Sequence, residues 1–144
     1  MQSQLLDSVK SNNLTTFTNL IDSGAQINES IIKNAIENKS YQIIDFINSF
    51  NNSFEDNSLN VAISLNDIPM IDYLLSKGCN WTIYSFSYGV GGSNIDVLSY
   101  MKSKGCYWGI LHQKHINIIK SNNSIVQWLK TNNCPWKELN GVSV

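Results

Sequence analysis

The chain has 144 residues, 42% hydrophobic and 15% charged, with 10 basic against 11 acidic side chains, a length that suits one domain burying roughly two thirds of its unfolded surface. A formal charge of −1 leaves no global basic field for nucleic acid; no apolar run approaches the ~20 residues of a membrane span, and Met1-Gln2-Ser3-Gln4 lacks the basic, then apolar, opening of a signal peptide. Two His and three Cys exclude a rich metal site or a multi-disulfide scaffold.

Composition is biased in one respect. Asn occurs 20 times and Ile 18 times, whereas Ala occurs three times, at Ala25, Ala35 and Ala62. Both favoured residues are spelled by A/T-rich codons. Asn is a mediocre helix former because its short amide competes for backbone hydrogen bonds, so a helical protein of this composition must draw its stability from tertiary packing. The Asn are interspersed with Ile, Leu and aromatic residues, unlike a disordered Asn tract.

In chain order, one unit recurs five times, over about 3–27, 28–54, 55–81, 82–108 and 109–136, followed by a short tail, 137–144. Such a fixed period is the signature of a repeat architecture. The first copy has small Ser8, apolar Leu20, a turn at Gly24 and large Ile27; Leu5, Leu6 and Val9 make its first helix apolar where a terminal repeat should be polar. The second has Ala35, Phe46, Ile47, a turn at Asn51 and Phe54. The third is the clearest. Leu59, Ala62 and Ile63 give a short first helix, and Met70, Ile71, Leu74 and Leu75 form an amphipathic stripe over Ile68 to Lys77, closed by Gly78 and Trp81. The fourth carries Gly89, Gly91 and Gly92 in its first helix, then Tyr100, Met101, Gly105 and Trp108. Three glycines predict the weakest helix of the array there, with Gly91→Ala stabilising if that position is helical. The fifth has Asn117 in the small column, Trp128, Leu129, a turn at Asn133 and Trp136. Turns thus fall at 24, 51, 78, 105 and 133, spaced 27, 27, 27 and 28 residues apart, each Gly or Asn as a left-handed helix C-cap requires. Neither short helix could bury its face alone, whereas stacked copies can.

These columns resemble the ankyrin repeat. Ser58-Leu59-Asn60-Val61-Ala62-Ile63 is similar to the family's Thr-Pro-Leu-His-x-Ala-Ala stretch, Ile71 to Gly78 to its second helix and glycine turn, and Gly24-Ala25-Gln26-Ile27-Asn28 to its Gly-Ala-Asp-Val-Asn. The Thr-Pro-Leu-His motif is nowhere intact. The period is about six short of the family's usual 33, and the missing residues fall where ankyrin repeats project a β-hairpin finger. Short repeats with a Gly-Cys-x-Trp turn resemble those of giant DNA viruses and amoebae. The resemblance implies an all-α, ankyrin-like solenoid of about five helix-turn-helix repeats with shortened fingers, one domain over 1–144. Tetratricopeptide and HEAT repeats, with periods of about 34 and 40, fit worse.

Several clusters imitate chemistry. Cys79, Cys106 and Cys134 occupy one repeat column; stacked repeats lie too far apart for the ~7 Å that a disulfide allows between Cα atoms, and no C-x-x-C begins a zinc site. They are expected to be free, buried thiols. His112 and His115 could share a helix face, but no third ligand is evident, and His115 aligns with the family's structural His. The Gly-x-Gly-Gly run at Gly89 to Gly92 lacks the strand and the Lys-Ser/Thr of a phosphate loop. Trp81, Trp108 and Trp136 share one column and Trp128 another, the pattern of a core ladder rather than of base stacking. No Ser-His-Asp, Cys-His or paired-acid arrangement recurs. No catalysis, cofactor or metal is expected.

For function, the resemblance implies a protein–protein interaction module, an adaptor or scaffold binding a protein partner on its concave face, with neither nucleic acid nor membrane as partner. Carried over column by column, the exposed positions on the inner helices are Lys10 and Ser11, Glu37 and Asn38, Ser64 and Leu65, Gly91 and Gly92, and Ile119 and Lys120. The alternative is a structural role in which array ends pair with further copies, as a homo-oligomer or part of a longer array. The expected location is cytoplasmic, the host cytoplasm if the protein is viral.

Overall fold

Helices of two or three turns do not persist alone in water, because nucleation consumes most of what their few hydrogen bonds return. This chain is built from such helices and must stack them. The computed structural model describes residues 1–51 and 57–142. The described residues form α-helices and no strand: α1 (Gln2–Lys10), α2 (Leu14–Asp22), α3 (Glu29–Glu37), α4 (Tyr41–Asn51), α5 (Asn57–Ser64), α6 (Ile68–Ser76), α7 (Ser85–Gly92), α8 (Ile95–Ser103), α9 (Ile116–Ser121) and α10 (Asn123–Thr131). Two 3-10 turns, Gln113–His115 and Lys137–Leu139, precede α9 and follow α10.

Each helix pair is cut to length by left-handed residues. Gly24, Gly78, Gly105 and Asn133 have positive φ after α2, α6, α8 and α10, as the sequence predicts. A second set, Asn12, Lys39, Asn66 and Ser93, also positive in φ, turns α1, α3, α5 and α7 into their partners at a spacing of 27, whereas α9 runs into α10 through extended Asn122. Both sets close in the same way. The left-handed N–H bonds back three residues and the next N–H five, as in Asn66 to Ile63 and Asp67 to Ala62, or Gly78 to Leu75 and Cys79 to Leu74; this is the Schellman pattern. The second helix then starts on a capping side chain. Asn13, Asp67, Asn94 and Asn122 each accept a first-turn backbone N–H through the side-chain oxygen. The abundant Asn therefore has a physical use, at caps and left-handed turns, where its short amide is an asset.

The helices form two layers. Successive first helices α1, α3, α5 and α7 pack side by side, with α5 and α7 in the closest contact, and α7 meets the last pair through Gln113–His115. Each second helix packs on its own partner, and second helices touch one another far less. The core between the layers is continuous: Leu5, Phe17, Ile36, Ile44, Ile47, Leu59, Ile63, Leu74, Phe86, Leu98, Met101 and Leu129 are fully buried. The small column keeps the layers close. A Cβ on Gly89 would lie 2.8 Å from Met101 Sδ and 2.9 Å from Leu98 Cδ2 of α8.

Five expectations need correction. Asn51 is the last residue of α4 rather than a turn two residues beyond it, and Phe54 with the rest of 52–56 lies outside the described residues. Asn117 is exposed, so the small column ends at Gly89. Leu5 and Val9 are fully buried and Leu6 half-buried, so the first helix offers no bare apolar end. At the other end the tail folds back: Leu139 is buried and Lys137–Leu139 packs on α9. The glycines of α7 are close-approach points, not merely weak ones. Gly91 is helical, yet its Cβ would sit 2.6 Å from His115 Nε2, which reverses the sign expected for Gly91→Ala; a Cβ on Gly92 would sit 2.6 Å from Asn66 Oδ1.

Gly109 is the strictest case. Its φ is +60°, and a Cβ there would collide with the Ile83 carbonyl, which accepts the Ile110 N–H at 2.7 Å. We expect Gly91→Ala and Gly109→Ala each to destabilise the chain by about 1–3 kcal/mol through forced displacement of packed groups, read as a shift of the urea midpoint at constant slope.

Candidate functional site

Because the first helices lie side by side, the faces they turn away from the second layer line one groove. Its volume is about 420 Å³, and it is bounded by Glu29, Lys33 and Glu37 of α3, by Asn57, Asn60, Val61 and Ser64 of α5 with Leu65 just beyond, and by Tyr88 and Lys114. The α3 wall carries a Lys33–Glu37 ion pair at 3.8 Å, one helical turn apart. On the opposite wall Lys114 Nζ lies 4.3 Å above the Tyr88 ring and donates to the Tyr88 hydroxyl at 3.0 Å. Leu65, 47% exposed, is the large apolar side chain most open to solvent here. The groove is thus mixed: one bare aliphatic group, a polar floor and a charge on each wall.

Of the positions expected to meet a partner, Glu37, Ser64 and Leu65 line this groove. Lys10, Ser11, Asn38 and Lys120 are exposed but lie outside it; Ser11 Oγ is turned back onto the Asp7 carbonyl, and Asn38 Nδ2 onto that of Asn34. Ile119 is 1% exposed and belongs to the core, which removes it from the set. Gly91 and Gly92 pack on His115 and Asn66. Tyr88 and Lys114 were missed, since they do not stand in the columns carried over from the resemblance.

Beneath the groove runs a set of buried polar groups that joins the pairs. Asn60 Oδ1 accepts from Ser85 Oγ at 2.8 Å, and Asn60 Nδ2 donates to Thr82 Oγ1 at 3.2 Å. Ser85 Oγ in turn accepts the Thr82 N–H at 2.7 Å, and Thr82 Oγ1 the Tyr84 N–H at 3.2 Å. These bonds start α7. One pair further on, Ser87 Oγ accepts the His112 N–H at 2.8 Å and lies 2.7 Å from His115 Nδ1. Ser87 Oγ thus joins the His112 backbone to the His115 ring, with the direction of the second bond set by the His115 tautomer. Asn66 Nδ2 adds a bond to the Gly92 carbonyl at 2.9 Å. A sequence signal for this network exists: Asn60, Ser87 and His115 each stand two residues before the expected small column.

Ser87 and His115 have the spacing of a nucleophile and its base, an arrangement absent from the linear sequence pattern. Ser87 is 0% exposed and its oxygen already holds the His112 amide, so no substrate atom reaches it. No disulfide joins the cysteines, and Cys79 and Cys106 are buried. Their column is the residue after each left-handed turn, whose N–H closes the Schellman pattern and whose side chain is turned inward. Among the described residues no group of three His, Cys, Asp or Glu could hold a metal, and no helix is long and apolar enough to cross a membrane.

Two outcomes follow from the electrostatics. Burial first, then Lys114 and His112, hold the His115 imidazolium down to about 4 against an ordinary 6.5. Between those values the unfolded chain takes up a proton that the folded chain refuses, so stability should fall as pH drops from about 6.5 to 4, by at most about 3 kcal/mol. His115→Gln should flatten that part of a pH–stability curve while lowering stability at neutral pH. Burial also pushes the Cys106 thiol up to about 12. Its alkylation by iodoacetamide at pH 8 should run at least tenfold slower in the native chain than in urea, because the thiolate is the reacting species.

Comparison with known protein families, with curated proteins and with solved structures finds no match to this chain.

Proposed function

We propose that this chain is a non-catalytic protein-interaction module, an ankyrin-type repeat array that binds a protein partner in the groove across its first helices. The observation that carries the reading is Leu65, half exposed on a polar and charged floor and walled by Glu37 and Lys114. An anchor of that kind gains from being covered, and the flanking charges set register and orientation. Support for the ankyrin-type assignment comes from the 27-residue recurrence of both left-handed turns and from the two helical layers. The shortened connections leave binding to the helix faces. A cytoplasmic setting goes with this proposal, one that keeps three thiols reduced.

The reading is tested by affinity capture from native cells, with wild type beside the Ser64→Arg/Leu65→Glu pair and an outer-face control, Asp72→Lys. A captured protein should be depleted at least tenfold by the groove pair and unaffected by the control. Capture that is indifferent to the groove pair would sink the proposal.

A further inference from the structure

Charge is unevenly spread along the chain. Residues 1–99 hold four of the ten lysines and ten of the eleven acids, whereas residues 100–144 hold six lysines and one acid, Glu138. Lys102, Lys104, Lys130 and Lys137 stand where α8 and α10 end or just beyond. They share the edge of the stack formed by the connections between pairs, and all four are exposed.

The negative ends of α8 and α10 account for some of this placement. They do not account for the missing counter-ions. Lys77, at the end of α6 on the same edge, pairs with Asp45 at 3.0 Å, and Lys33 and Lys39 also have carboxylate partners. Among the described residues none of the four later lysines has a carboxylate partner, though Lys130 Nζ donates to the Val142 carbonyl. Lys102 and Lys104 rest instead over the Trp108 and Tyr100 rings, at 5.1 and 5.6 Å. In the connections that precede α7 and α9 two aliphatic side chains stand open, Ile83 at 47% and Ile110 at 53% exposure, held together by the bond between the Ile110 N–H and the Ile83 carbonyl.

From this juxtaposition we infer that the connection edge of the last two helix pairs docks an acidic polypeptide segment carrying aliphatic side chains among its carboxylates. Exposed ammonium groups without a carboxylate beside them attract such a segment from a distance, and Ile83 and Ile110 supply apolar area that holds it once there. The edge is separate from the groove and goes beyond its assignment. Nucleic acid fits this surface less well. Trp108 is covered by Phe86 at 4.5 Å and Trp128 at 6.1 Å, and Trp136 is buried. That leaves Tyr107, whose hydroxyl donates to the Trp81 carbonyl, as the exposed ring. A long polyanion would also have to cross the acidic earlier pairs.

The test uses the full chain and a fluorescent 15-residue peptide of repeating Glu-Glu-Leu, followed by anisotropy at 50 and 300 mM salt. A 15-nucleotide oligothymidylate runs in parallel, and sedimentation of the protein alone provides a third arm. The peptide should bind at low salt, weaken at least tenfold at high salt, and weaken at least tenfold in Lys102→Glu/Lys104→Glu/Lys130→Glu. Ile83→Asp/Ile110→Asp should weaken it further than a scrambled salt effect allows, and the milder Lys104→Gln/Lys137→Gln pair should give a smaller loss in a chain whose helical circular dichroism is unchanged. Leu65→Glu should leave peptide binding intact, which separates this edge from the groove. The inference is overturned by an absence of peptide binding, by tighter binding of the oligonucleotide, by binding indifferent to the lysine variants, or by salt-sensitive self-association showing that the chain's own acidic half occupies the edge.

Discussion

The left-handed turn is the constraint on which this architecture rests. A stack of short helices needs each helix to stop at the same place in every copy, since an error of one residue rotates every following side chain by about 100°. Left-handed closures provide that stop, at Asn12, Lys39, Asn66 and Ser93 after α1, α3, α5 and α7, and at Gly24, Gly78, Gly105 and Asn133 after α2, α6, α8 and α10. Once helix length is fixed, Ala35, Ala62 and Gly89 stay on the seam between layers, the core columns remain in line, and the first helices present a common outer face.

The polar groups under the groove add specificity to that frame. Apolar stacking alone would tolerate a sliding of one pair against the next, because Ile and Leu pack almost equally well in neighbouring registers. The Asn60–Ser85–Thr82 and His112–Ser87–His115 bonds do not tolerate it. The Asn60–Ser85 and Ser87–His115 bonds are buried, so losing a partner there leaves an unsatisfied group with its desolvation cost. Gly91 belongs to the same device. Its missing side chain is what lets the His115 ring lie against α7.

Much of this was legible in the sequence, and the reasons for the remainder are specific. The turns after the second helices were readable because Gly and Asn fill them almost uniformly. The turns after the first helices were not, because Asn, Lys, Asn and Ser share a backbone conformation but no side-chain chemistry. The capping side chains Asn13, Asp67, Asn94 and Asn122 were hidden among other Asn. Glu37, Ser64 and Leu65 were found by column because the first copies keep one register. Ile119 failed because the fifth pair opens with a 3-10 turn, Gln113–His115, before a shortened α9, and the different rotation per residue carries an exposed position round to the buried face. The contacts of Tyr88 with Lys114 and of Gly91 with His115 join residues in different copies, which no comparison of a column with itself can reveal.

Unequal packing in the two layers also has a mechanical consequence. First helices contact one another closely, whereas second helices meet mainly through longer side chains such as Phe17 with Phe46 and Tyr41 with Tyr73. A flexed stack of this kind has its neutral axis near the first helices. Curvature is taken up by opening or closing the looser outer layer, where few contacts must break, while spacing along the groove hardly changes. The array therefore behaves as a leaf spring with a stiff inner blade, able to yield under load while keeping a fixed ruler of side-chain positions along the groove.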